Sequence, residues 1–206
     1  MTNIMQPRGL LAVLVLALAV GSAGAQQRTT DSATWPTPHE GDFIVHDFHF
    51  QSGEVMPQVR MHYTTLGKPA KDASGRTTNA VLILHGTGGS GHSLLRPIFA
   101  GVLFGPGQLL DATKYFIILP DNVGHGKSSK PSDGLHARFP QYDYADMIAL
   151  QQQLVEKGLG ANHLRLVMGT SMGCMHSWMW GETYPDWMDA LVPLACLPVE
   201  DRKSVV

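Results

Sequence analysis

The run Leu164-Arg165-Leu166-Val167-Met168 passes without a linker into Gly169-Thr170-Ser171-Met172-Gly173, and then into a helix-like stretch from Met172 to Tyr184. A buried strand that must turn at once into a helix constrains the chain strongly. It suits the carboxyl end of a strand in a parallel sheet, where a helix crosses back over one face. Glycines 169 and 173 let strand and helix approach closely around one serine. The bare G-x-S-x-G pattern decides little, because a chain this rich in glycine produces it by chance roughly once in seven times. The strand before and the helix after remove most of that background. Ser171 is therefore the candidate nucleophile, lifted to the top of a sheet with its hydroxyl exposed. The helix beginning at Met172 turns its free N–H groups and dipole towards negative charge forming there.

The surrounding chain has the matching grammar. Ala80 to Leu84, Tyr115 to Leu119 and Ala190 to Cys196 are further strand-like runs, and the continuous apolar ones suit strands covered on both faces. Tyr142 to Lys157 places Ala145, Ile148, Ala149 and Val155 at helical spacing, with Gly158 and Gly160 as stops. Ahead of them, Phe43 to Phe50 and Val55 to Thr64 flank Gln51-Ser52-Gly53 and predict a hairpin. Strands alternating with helices predict an α/β fold: a mostly parallel sheet with helices on both faces.

Two further turns follow strands. His85-Gly86-Thr87-Gly88-Gly89 stands where a second oxyanion donor would sit, so the backbone N–H groups of Thr87 and Met172 are the candidate oxyanion hole. His85 is read as structural rather than as a base. Gly86-x-Gly88-x-x-Gly91 also fits a dinucleotide fingerprint, but no helix starts cleanly there. The next acidic residue at a strand end, Asp121, lies too far on. Gly126-Lys127-Ser128 resembles the end of a phosphate loop, yet Asp121 occupies its required glycine. His125, in the turn after the second apolar strand, reads as stabilising that turn.

With these turns in order, the chain resembles the α/β-hydrolase superfamily, and within it the homoserine O-acetyltransferase-like branch. The likeness runs from about residue 43 to 198. It includes Tyr63-x-Thr65-x-Gly67, the His85 loop, Phe104 to Gln108, Asp111 to Phe116, Asp121 to Ser128, Asp146-Met147, the Ser171 turn, Tyr184-Pro185 and Ala195 to Pro198. The resemblance implies an enzyme acting on a small-molecule acyl substrate. Cys174 departs from the glycine usual after the elbow, and the arginine usual beside Asp146-Met147 is absent. The branch's acid and histidine lie on later strands, so the resemblance implies an α/β-hydrolase core that stops before the last strands. After Ser171 the one histidine is His176, on the flank of the same helix and out of reach of the hydroxyl. Glu200 and Asp201 follow the fourth strand, but neither is assigned the acid's role.

Residues 1–25 form a separate unit. Arg8, the eleven-residue apolar run Leu10 to Val20 and the small residues Gly21 to Ala25 make a signal peptide, cleaved after Ala25. The run is short of the roughly 20 residues a membrane-spanning helix needs, so no stable membrane anchor is expected. The mature partial core, residues 26–206, is thus expected outside the cytoplasm, periplasmic or secreted. A net charge of −2 gives no case for nucleic acid. No metal or cofactor is implied: His46 and His49 are three apart on a strand and alternate in direction. Cys174 and Cys196 could pair, but two buried thiols are the favoured reading.

Three functions fit this chain. Ester hydrolysis through an acyl-enzyme is preferred on the strength of the export signal. Acyl transfer from acyl-CoA, homoserine O-acetyltransferase-like, is the alternative that the resemblance favours. A remnant lacking its acid and base is the third.

Overall fold

The computed structural model describes residues 35–197. Residues 1–34, which include the expected signal peptide, and residues 198–206, Glu200 and Asp201 among them, lie outside the described residues.

Among the described residues six strands form one sheet: β1 (His39–His49), β2 (Val55–Leu66), β3 (Ala80–Leu84), β4 (Phe116–Pro120), β5 (Leu166–Thr170) and β6 (Leu191–Leu194), in the order β1-β2-β4-β3-β5-β6. The expected hairpin forms β1 and β2, which pair antiparallel. Strand β2 then meets β4 antiparallel. From β4 through β3 and β5 to β6 every pairing is parallel. The sheet is thus parallel on the side that carries the Ser171 turn.

Alternation along the central strands divides the core. Val81 and Ile83 of β3 and Ile117 and Leu119 of β4 pack on one face with Phe104 and Ala100, the latter in the short helix α1 (Ala100–Leu103). Leu82, Leu84, Phe116 and Ile118 face the other way, against Ile148 and Trp180. Those two residues belong to α2 (Tyr144–Gln153) and α3 (Met172–Thr183), so the sheet is covered on both faces. Helix α2 starts where Asp143 accepts the Asp146 N–H at 3.1 Å, and Asp146 accepts the Asp143 N–H in return at 3.1 Å. These reciprocal bonds satisfy two end groups that the helix cannot. The helix then continues as a π-turn over Leu154–Gly158.

Several boundaries move from their sequence-based positions, and two of the shifts lie beside Ser171. Strand β5 begins at Leu166 rather than Leu164 and runs through Gly169 to Thr170, because Leu84 pairs with Gly169 and Leu194 with Thr170. Strand β6 stops at Leu194, where Ala195 takes φ 61° and leaves the ladder. The cysteines overturn the favoured reading of two thiols: Cys174 and Cys196 are joined as a disulfide, their Cα atoms 5.9 Å apart.

Candidate active site

Ser171 joins β5 to α3 with φ 54° and ψ −118°, a backbone conformation sterically costly for a residue with a Cβ. Its neighbours explain how the turn closes. A Cβ on Gly169 would lie 2.1 Å from the Gly173 carbonyl oxygen, and one on Gly173 would lie 2.2 Å from that of Leu84. Only glycine at both positions lets α3 start this close to β3 and β5. The serine itself is exposed, while Met172, Gly173 and Cys174 behind it are buried. Met172 is the first residue of α3, so its N–H has no acceptor within the helix.

The His85 loop lies alongside. A Cβ on Gly86 would sit 3.3 Å from the Ser171 Cβ, which places this turn beside the serine. The Gly86 carbonyl accepts the Gly89 N–H at 3.0 Å and faces the His85 Nδ1 at 2.9 Å. His85 Nε2 accepts the Asn122 N–H at 3.1 Å, so the proton of this ring resides on Nδ1 and is donated to Gly86. Burial holds the His85 pKa below its usual value. A neutral ring with both nitrogens engaged has no role as a base; His85 fastens the β3 turn to the end of β4. Across the planar Gly86–Thr87 peptide, N–H and C=O point in opposite directions. The Thr87 N–H is therefore directed away from the bonded carbonyl, on an exposed residue. Thr87 and Met172 thus bring two backbone donors to the neighbourhood of one exposed serine.

The turn after β4 is structural. Asp121 accepts the Gly91 N–H at 2.6 Å and the Lys127 N–H at 2.7 Å, and Ser128 donates to the Asp121 carbonyl at 2.7 Å. Gly91, the last glycine of the apparent dinucleotide fingerprint, is thereby committed to Asp121, and a Cβ there would meet the Leu119 carbonyl oxygen at 2.2 Å. That glycine serves packing, and its N–H is not free for a phosphate. His125 lies 3.1 Å from the Val123 carbonyl of its own turn, its ring 5.3 Å from that of His85.

Behind the Ser171 turn, between α2 and α3, lies a polar network that sequence reasoning missed. Gln151 of α2 accepts the Trp180 indole N–H at 2.8 Å, donates to Asn122 Oδ1 and donates to His176 Nδ1 at 3.2 Å. All four side chains are fully buried. A glutamine inside an apolar helical stripe was the available signal. His176 is held by Gln151 and by the edge of Tyr144, ring centres 4.8 Å apart. Burial, with the nearby His85 and His125, pushes its pKa down to about 3. It is a neutral core residue. His46 and His49 are both exposed on β1. Among the described residues no group of three or more histidines, cysteines or carboxylates could hold a metal.

Residues 79–200 match the alpha/beta hydrolase fold family, more than half of the chain. The chain belongs to the α/β-hydrolase family. A probable acyltransferase from Methanothermobacter thermautotrophicus is 35% identical over 153 residues, covering 74% of this chain and 46% of that protein. A homoserine O-acetyltransferase from Deferribacter desulfuricans is 33% identical over 164 residues, covering 72% and 42%. Among solved structures, the homoserine O-acetyltransferase from Bacillus anthracis superposes with a TM-score of 0.60 at 26% identity, covering 75% of this chain and 45% of that one. An acetylester hydrolase from Corynebacterium glutamicum gives 0.69 at 23% identity, covering 80% and 46%, a likeness of fold. The chain therefore spans under half the length of these relatives. The two sequence relatives are named as a probable acyltransferase and as a homoserine O-acetyltransferase.

Proposed function

We propose that this chain carries the nucleophile of an exported hydrolase acting on a small ester or related acyl substrate through an acyl-enzyme. The observation that carries the reading is Ser171 itself: exposed, strained at φ 54°, and set between two glycines at a strand-to-helix turn. In the proposed reaction its Oγ attacks the acyl carbonyl while a base takes the hydroxyl proton. The carbonyl oxygen becomes an oxyanion facing the Thr87 and Met172 N–H groups. Collapse expels the alcohol, which receives the proton, and water then releases the acid by the same steps in reverse order. Removing one such oxyanion donor typically costs about 100–1,000-fold in turnover. His176 is buried and bonded to Gln151, so we assign the base and its orienting acid to residues outside 35–197, following the Ser, acid, His order of this fold. Export is part of the proposal, resting on the signal-like residues 1–25. No helix among the described residues is long and apolar enough to cross a membrane.

The relatives named as homoserine O-acetyltransferases favour a second reading, acyl transfer from an acyl-CoA to a small alcohol. Export favours water as the acceptor, since acyl-CoA belongs to the cytoplasm. Supplying an acetyl ester, and separately acetyl-CoA with homoserine, to a full-length form decides between them. Acetate release from the ester alone supports hydrolysis, and O-acetylhomoserine formation supports transfer. Neither product from a form that contains a later acid and histidine overturns both.

A further inference from the structure

Strand β6 is four residues long and is paired, among the described strands, only with β5. Its last carbonyl, that of Leu194, accepts the Ser171 N–H at 3.0 Å. The next residue, Ala195, is left-handed at φ 61°, a conformation that a residue with a Cβ enters at a cost. The residue after that is Cys196, bonded to Cys174. Cys174 in turn sits in the first turn of α3, its N–H on the Ser171 carbonyl at 2.9 Å. The disulfide therefore closes a small ring of contacts around the nucleophile's backbone: Ser171 to Leu194, through the strained Ala195 to Cys196, and across to Cys174.

We propose that the Cys174–Cys196 disulfide is a redox-sensitive clasp that keeps the turn after β6 on the Ser171 backbone, making both cysteines positioning residues for the nucleophile elbow. Its bearing on acyl chemistry rests on the serine reading above; the clasp itself rests on the geometry alone. Cys174 is 1% exposed, whereas Cys196 is half-buried, so an external dithiol opens the bond at Cys196. One thiolate of the dithiol bonds to the Cys196 sulfur and expels Cys174 as a thiolate, which takes a proton. The second thiolate then closes on the first, releasing Cys196 as a thiol and leaving the dithiol oxidised. With the bond open, Ala195 relaxes out of the left-handed region, Leu194 turns its carbonyl away, and the Ser171 amide loses its acceptor. In an oxidising compartment the clasp stays closed; in a reducing one it opens.

Hydrogen exchange on the full chain, oxidised and after dithiothreitol, tests this. The Ser171 amide is expected to exchange at least about tenfold faster after reduction, the loss of one protecting bond worth roughly 1.4 kcal/mol, while the β3 amides of Val81 to Leu84 keep their rates. Re-oxidation restores the slow rate. The double variant Cys174→Ala/Cys196→Ala exchanges fast at Ser171 with or without dithiothreitol. The proposal is overturned if Ser171 exchanges equally in both forms, if the β3 amides accelerate by the same factor, or if the protein isolated from an oxidising compartment carries two free thiols. In a form that supplies the base, the labelling rate of Ser171 by a fluorophosphonate should fall in parallel. Such a form that never labels yet shows the exchange difference supports the clasp and counts against the serine reading instead.

Discussion

At the scale of residues, the Ser171 turn is first of all a packing solution. Gly173→Ala tests this. In an open helix the change gains about 1 kcal/mol from helix propensity. Here the new Cβ would lie 2.2 Å from the Leu84 carbonyl oxygen and 2.8 Å from that of His85, both backbone atoms that cannot step aside. Overpacking of this kind costs about 1–3 kcal/mol, so a net loss of stability is expected in denaturant melts, together with loss of reactivity at Ser171. His176 makes a prediction in pH. Its ordinary value of 6.5 falls to about 3 in the fold, chiefly through burial. The unfolded chain takes up that proton first, so the stability this group lends is complete above pH 6.5 and drains away as pH falls towards 3. The slope reaches about 1.4 kcal/mol per pH unit for one proton. Urea midpoints should drop across this window, and His176→Asn should flatten the drop by one proton. An unchanged slope in the variant would contradict the assignment. The identity of Ser171, Thr87 and Met172 as candidates was legible because glycine spacing after an apolar run is local information. The role of His85 became specific only when Asn122, remote in sequence, was seen to donate to its Nε2.

At the scale of elements, what the sequence under-determined was register. The apolar stretch near residue 164 marks a strand but not where it begins and ends, because Gly169 reads as a turn signal. In the sheet Gly169 is still paired, with Leu84 on one side and Pro193 on the other. Partners far along the chain decide that, and no local pattern carries them. The same holds for Gln151, whose place in α2 is readable but whose three bonds are to residues of β4's turn and of α3. Gln151→Leu tests how much they hold. The substitution is close in volume but leaves the Trp180 indole N–H, Asn122 Oδ1 and His176 Nδ1 buried without their partner. Each orphaned group costs about 1–3 kcal/mol, partly offset by the apolar gain, so a net loss of roughly 3 kcal/mol is expected from chemical denaturation. A neutral result would mean that the network is satisfied by some other route.

At the scale of the molecule, the alternation of strands and helices was enough to predict a sheet covered on both faces, and the packing of Ala100 and Phe104 on one face and of Ile148 and Trp180 on the other bears it out. The disulfide was not predictable in the same way, since two cysteines 22 residues apart meet only if β6 pairs beside β5 and ends where it does. Closing a loop of that length restricts the unfolded chain by about 3 kcal/mol. Reduction should therefore lower the denaturation midpoint by that order, and by the same amount as Cys174→Ala/Cys196→Ala. A melt insensitive to dithiothreitol would contradict the bond. The central claim is chemical, and it rests on one atom. A fluorophosphonate reacts at an activated serine oxygen, and digestion followed by mass spectrometry locates the adduct. The account predicts a single adduct on Ser171 of a form that supplies the base, absent in Ser171→Ala and undiminished in His176→Asn. An adduct on another residue, or none on Ser171 in a folded form that contains a later acid and histidine, would contradict it.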